Sequence, residues 1–302
     1  MYRAILAIFM ALQLYSVAAD AQGRVELGWG RLFTNDFLGD NKDRWRTGSY
    51  TVSKVVGRGW NGVLPEAMGE ILEFRFRSET MAPASLIAPA PGDRRYAGVL
   101  SLGVHTQFEK RGVEFRLGGD LVFTGPQTGV GRLQSEIHKI LGATVPTVLG
   151  NQIPNGIFPT LTAEAGRPFA ITPNVIFRPF VEGQAGVETL IRFGGDLHIG
   201  QVGLDDLYLR DVVTGQRFRA TRGGVTGFAA VLGADAAYVA GSAYLPASDG
   251  YVLTDARLRV RAGVHWQGEK SSVFYGLTWL SEEFEAQSEP QVQGSVQLNI
   301  RF

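Results

Sequence analysis

The sequence predicts an all-β fold: a single transmembrane antiparallel β-barrel of about twelve strands, with a short helix in an extracellular loop. Three observations carry this. The N-terminus is an apolar leader, long segments alternate strictly between apolar and polar residues, and the last segment ends in Phe302. No run of about 18 apolar residues follows residue 22, so no helix is expected to cross a membrane.

The leader places one positive charge at Arg3, an almost wholly apolar stretch over residues 4–14, and small residues ending in Ala19-Asp20-Ala21. That pattern is a secretory signal peptide, residues 1–21, with cleavage after Ala21. A membrane anchor needs about 20 apolar residues, and this run is shorter. Residues 22–302 then form one outer-membrane barrel domain.

Alternation is clearest at the C-terminus. Val292, Gly294, Val296, Leu298, Ile300 and Phe302 alternate with Gln293, Ser295, Gln297, Asn299 and Arg301. Successive side chains of a strand point to opposite faces, so one face is apolar and the other polar. The pattern recurs over 113–123, 187–198 and 258–267, where charges keep to one face. A soluble sandwich alternates too, but its strands usually stop near five or six residues. Here they reach about ten, the length a tilted transmembrane strand needs. Aromatics such as Trp29, Phe33, Phe108, Phe115, Trp266 and Trp279 fall near strand ends, as an interfacial girdle requires.

Strands are expected near 24–34, 48–59, 69–80, 96–108, 112–123, 159–171, 174–185, 187–199, 225–240, 256–267, 272–284 and 291–302. The longer gaps at 35–47, 81–95, 125–158 and 200–224 are expected to be extracellular loops, although 200–224 breaks their parity. Within one gap the period changes. Leu133, Ile137, Ile140 and Leu141 recur at helical spacing, and Gly142 is placed to cap the end.

Composition excludes some chemistry. Zero net charge gives no reason to expect a nucleic-acid partner, and no protein partner is indicated. The absence of Cys rules out disulfides and thiolate catalysis. Serine-hydrolase elbows, H-E-x-x-H and P-loop motifs are all missing.

Three segments remain as candidates. Gln134 and His138 stand four residues apart on the helix, so they share a face. His105, His198 and His265 lie at inward strand phases and read as solvated lumen residues. The segment Thr34-Asn35-Asp36-Phe37-Leu38-Gly39-Asp40, followed by Asp43-Arg44-Trp45-Arg46-Thr47-Gly48, offers hard oxygen donors of the kind calcium takes, or is simply a polar loop. Arg94 and Arg95 end a Pro-rich loop; a guanidinium at a rim suits phosphate, and equally suits water.

Taken in order, these segments resemble the lipid A 3′-O-deacylase family of outer-membrane enzymes. The resemblance runs through Asn35-Asp36-Phe37, Asp43-Arg44-Trp45-Arg46-Thr47, Asp93-Arg94-x-Tyr96-Ala97-Gly98 and Gly125-Pro126. It continues through Gln134-x-x-x-His138-x-Ile140-x-Gly142, Asn151-Gln152-Ile153, Thr278-Trp279-Leu280-x-x-Glu283-Phe284 and Phe302. It spans nearly the whole mature chain. The resemblance implies calcium-dependent hydrolysis of the 3′-acyloxyacyl ester of lipopolysaccharide in the bacterial outer membrane. It implies His138 as general base, Gln134 as orienting residue, Asp36 as calcium ligand with Asn35 and Thr47 lining the site, and Arg94 on the lipid A head group. An imidazole suits proton transfer near neutral pH. Two positions depart from the pattern: Thr144 stands where the family often has Glu, and Leu149 where it often has Trp. The other expectation is a non-catalytic barrel derived from that family, serving as adhesin, stabiliser or small channel.

Overall fold

The structure, a computed structural model, describes residues 23–300; the expected signal peptide and Phe302 lie outside the described residues. The strands are β1 (Val25–Asn35), β2 (Trp45–Gly57), β3 (Ile71–Ala82), β4 (Ala97–Lys110), β5 (Val113–Thr124), β6 (Gly156–Gly166), β7 (Phe169–Thr172), β8 (Val175–Ala185), β9 (Glu188–Gly200), β10 (Tyr208–Arg210), β11 (Arg217–Arg219), β12 (Gly227–Ser242), β13 (Arg257–Gln267), β14 (Ser271–Leu280) and β15 (Gln291–Ile300). Twelve of them form an antiparallel barrel, closed where β1 meets β15 and where β6 meets β8. Closure gives each of these twelve strands a neighbour on both sides, as hydrocarbon demands; β7 pairs with β8 alone.

The sixth expected strand is split. Gly166 pairs with Phe180 and Phe169 with Phe177, so β6 and β7 share one register along β8. Between them lies Pro168, which has no N–H to give the ladder.

Burial is inverted relative to a soluble sandwich. On β13, Leu258, Val260 and Val264 are exposed while Arg257, Arg259, Arg261 and His265 are buried. On β15, Gln291, Gln293, Ser295 and Gln297 are buried while Leu298 and Ile300 are exposed. An arginine on the lipid face costs about 2–4 kcal/mol at the bilayer midplane, so the charges turn inward. There they pair: Asp235 holds Arg192, Arg259 and Arg261, and Arg178 joins Glu114 to Glu164.

One expectation is corrected. Residues 200–224 are not an outer loop; they start from the end opposite the helix and fold into the lumen. The β10–β11 hairpin seats Leu209 and Phe218 against the inward side chains Leu32, Val55, Ile71 and Phe274. Arg210 ties it to Glu164 on β6 and Asp196 on β9. The parity break was therefore real: this connection lies at the short-loop end and supplies a plug. His105 and His265 do face the lumen, but they are buried rather than solvated.

Candidate active site

The expected loop helix is present as α1 (Val130–Leu141), capped by Gly142 at φ +68°. Its N–H reaches back to the His138 and Lys139 carbonyls, and a residue with a Cβ would be strained in that left-handed conformation. Gly131 and Ser135 are buried toward the barrel; a Cβ at Gly131 would lie within 3.2 Å of both Leu149 and Tyr96. Leu149, where the resemblance leads one to expect Trp, thus fills the space under the helix.

The helix stands outside the barrel wall. Outward positions Asn35, Gly48, Thr80 and Gly98 pair across β1 to β4 in one row, and Gly98 lies against Thr128 and Val130. Asn35 ends β1 and caps a 3-10 turn, Asp36–Leu38, by accepting the Phe37 N–H at 2.9 Å. Its amide nitrogen sits over Gly48, where a Cβ would approach to 2.8 Å. Glycine at 48 therefore leaves room for Asn35.

Beyond that turn the loop folds back and collects oxygen atoms. Asp36 is 1% exposed and accepts the Arg44 N–H at 2.8 Å and the Thr47 hydroxyl at 3.3 Å. The Thr47 hydroxyl also donates to Asp43 in a short contact. Burial, helped by the nearby Asp43 and Asp40 carboxylates, pushes the Asp36 carboxyl up to about 8. Among the described residues no three His, Asp or Glu side chains converge into a ready metal cage. Two carboxylates, the Thr47 hydroxyl and the Asn35 amide are the donors the loop gathers.

Asp43 joins loop to helix. Its Oδ1 accepts the Gln134 amide at 3.4 Å, and its Oδ2 lies 3.4 Å from His138 Nε2. Gln134 Oε1 accepts the Tyr96 hydroxyl at 2.8 Å; burial pushes that phenol up, so it stays a donor. On the far side of the imidazole, His138 Nδ1 stands 2.6 Å from the Thr144 main-chain oxygen. A carbonyl only accepts, so Nδ1 is the donor there, and Nε2 is the nitrogen turned toward Asp43. Asn35, Asp36, Thr47, Gln134 and His138 thus come together. Asp43 and Tyr96 complete the cluster; both lay inside quoted motifs, without a signal that singled them out.

Arg94 does not join them, and its expected place at the rim is corrected. It is 1% exposed, with one nitrogen 2.7 Å from Glu283 and another on the Met81 sulfur. Burial pushes the Glu283 carboxyl up, but Arg46, Arg257 and Arg94 together hold it well below the usual carboxylate range. Arg95 is the rim arginine, paired with Asp249.

The family model for the outer-membrane protein LpxR matches residues 5–302. The chain belongs to the LpxR family. LpxR from Salmonella typhimurium has the same barrel: 17% identity, TM-score 0.76, with 91% of this chain and all of that chain covered. Matches to the NanC porin (6% identity, TM-score 0.42, 91% and 100% coverage) and the KdgM porin (6%, 0.40, 91% and 99%) are much looser. No curated protein sequence matches. Membership of the LpxR family and the barrel fold place the chain in the bacterial outer membrane.

Proposed function

We propose that this LpxR-family chain is a lipid A 3′-O-deacylase, a carboxylic ester hydrolase acting on lipopolysaccharide. The observation that carries the proposal is the His138 imidazole, held at Nδ1 by the Thr144 carbonyl and turned with Nε2 toward Asp43, among the side chains the family resemblance named.

The Thr144 carbonyl fixes the tautomer. His138 Nε2 then accepts a proton from a water as that water attacks the ester carbonyl. The Asp43 carboxylate, 3.4 Å from Nε2, favours the imidazolium that forms. As the tetrahedral intermediate collapses, the imidazolium returns its proton to the departing sugar oxygen. Gln134, held between Tyr96 and Asp43, presents a fixed amide to the water or the ester. The donor chemistry fits calcium: all the atoms offered are hard oxygens, and the buried Asp36 lacks a compensating cation. Asp36 would hold the ion with Asp43, Thr47 and Asn35 beside it, and when bound it supplies Lewis-acid stabilisation of the carbonyl oxygen. Arg94 keeps no part in head-group binding, since Glu283 occupies it.

The alternative, a small channel, is disfavoured by the lumen. The β10–β11 hairpin packs inside it and is held by buried ion pairs. Expression in an outer membrane that lacks the activity tests the proposal. Lipid A should lose the mass of one acyloxyacyl group; an unchanged spectrum with a folded barrel would refute it.

A further inference from the structure

The loop helix has four faces. Gly131 and Ser135 pack on the barrel, and Gln134 and His138 face the site. Arg132, Glu136 and Lys139 are exposed and charged. Between the site face and the charged face runs an apolar stripe of Leu133, Ile137, Ile140 and Leu141, exposed by 50%, 43%, 83% and 74%. Four large aliphatics in water are an unfavourable surface for a stable chain; burying each is worth about 1.5–3 kcal/mol.

The wall below the site is also patterned. One row beneath Asn35, Gly48, Thr80 and Gly98 stands the outward row Phe33, Tyr50, Ser78 and Leu100, read from the strand register. Phe33 and Tyr50 are large and exposed, and Leu100 is half-buried. Ser78 alone is small. With Thr80 directly above it on β3, it leaves a vertical gap between Tyr50 and Leu100. Across the site from the helix, Phe37 on the 3-10 turn is 69% exposed.

We propose that this gap over β3 seats an acyl chain that enters sideways from the outer leaflet, the same lipid that covers the exposed apolar face of the helix and Phe37. The occupant is a membrane lipid chain because the gap continues directly into the barrel's lipid-facing belt. Entry through the lumen is closed by the β10–β11 hairpin. The ester follows its chain up the wall to His138, while Arg132, Glu136 and Lys139 stay in the head-group water. Ser78 then sets how bulky a chain can pass. This rests on the deacylase proposal for the identity of the ester, but not for the contact with lipid.

The chain has no Cys, so single-cysteine variants carry a spin label at one place only. Labels at Ile137→Cys and Ile140→Cys, in phosphatidylethanolamine vesicles containing lipid A, should collide more with oxygen than with a polar nickel chelate; a label at Glu136→Cys should do the reverse. Ser78→Trp should cut deacylation of long-chain lipid A by about tenfold through KM and leave heat-modifiable migration intact. Water-like labels at 137 and 140, or an Ser78→Trp enzyme with unchanged KM, would overturn the proposal. If wild-type protein hydrolyses nothing, the deacylase proposal fails while the label pattern still decides the lipid contact.

Discussion

His138 Nδ1 lies 2.6 Å from the main-chain oxygen of Thr144, so a peptide carbonyl orients the imidazole proposed as the base, at the position where the resemblance leads one to expect an acidic residue. Removing the Thr144 side chain leaves that oxygen in place. Thr144→Ala is therefore expected to keep kcat/KM within about tenfold, under about 1.4 kcal/mol of transition-state stabilisation. A larger loss in a normally folded variant would show that the Thr144 hydroxyl itself has a role.

His138→Ala removes the proposed proton acceptor. General-base catalysis is typically worth about 100- to 10,000-fold, and turnover should drop by that much. The side chain makes no contact in the barrel ladder, so heat-modifiable migration on gels should be unchanged. Activity that survives in the folded variant would place the base elsewhere.

The Asp36 carboxyl, pushed up to about 8 by burial and by Asp43 and Asp40, makes the loop pH-sensitive. Its folded value lies above its unfolded one, so ionisation opposes the folded loop. Without a cation, stability is lost as pH rises from about 4 through about 8. A bound cation favours the carboxylate, so calcium competes with the proton and should bind more tightly as pH rises through that range. Calorimetric titration of calcium at pH 6 and pH 8.5 checks this, and Asp36→Asn should abolish the difference. Equal affinity at both pH values in the wild type would contradict it.

Arg94→Ala should act on stability rather than on substrate. It leaves the buried Glu283 with Arg46 and Arg257 as its remaining cations. Breaking a buried pair costs about 3–5 kcal/mol, and the low end applies because two partners stay. Urea unfolding in lipid vesicles should show the loss, while KM for lipid A stays near wild type. A raised KM with unchanged stability would return Arg94 to the head group.

Shortening the lumen hairpin tests the closed interior. Deleting residues 205–222 removes Leu209, Phe218 and Arg210, and leaves Glu164 and Asp196 without that partner. The wild type is expected to show no steady conductance in planar bilayers, and the deletion to open a channel. Conductance in the intact chain would favour the small-channel alternative.

Much of this was readable in the sequence because the signals are local. Alternation on β13 and β15 reports directly which face meets lipid, and Gln134 with His138 needs only helical geometry. What escaped is set by distance along the chain. Asp43 meets Gln134 across 91 residues, and Arg94 meets Glu283 across 189. Nothing near either residue announces its partner, so Arg94 read as a rim cation. The segment at 200–224 is largely polar, with three-residue strands, and reads as an ordinary loop; the inward faces of β1, β2, β3 and β14 show where Leu209 and Phe218 go.

The most direct measurement is the mass spectrum of lipid A from cells expressing the wild-type chain beside cells expressing His138→Ala. The wild type should yield lipid A lighter by one acyloxyacyl group, and the variant should not. Identical, full-mass spectra from two folded barrels would contradict the assignment of this site as a lipid A deacylase.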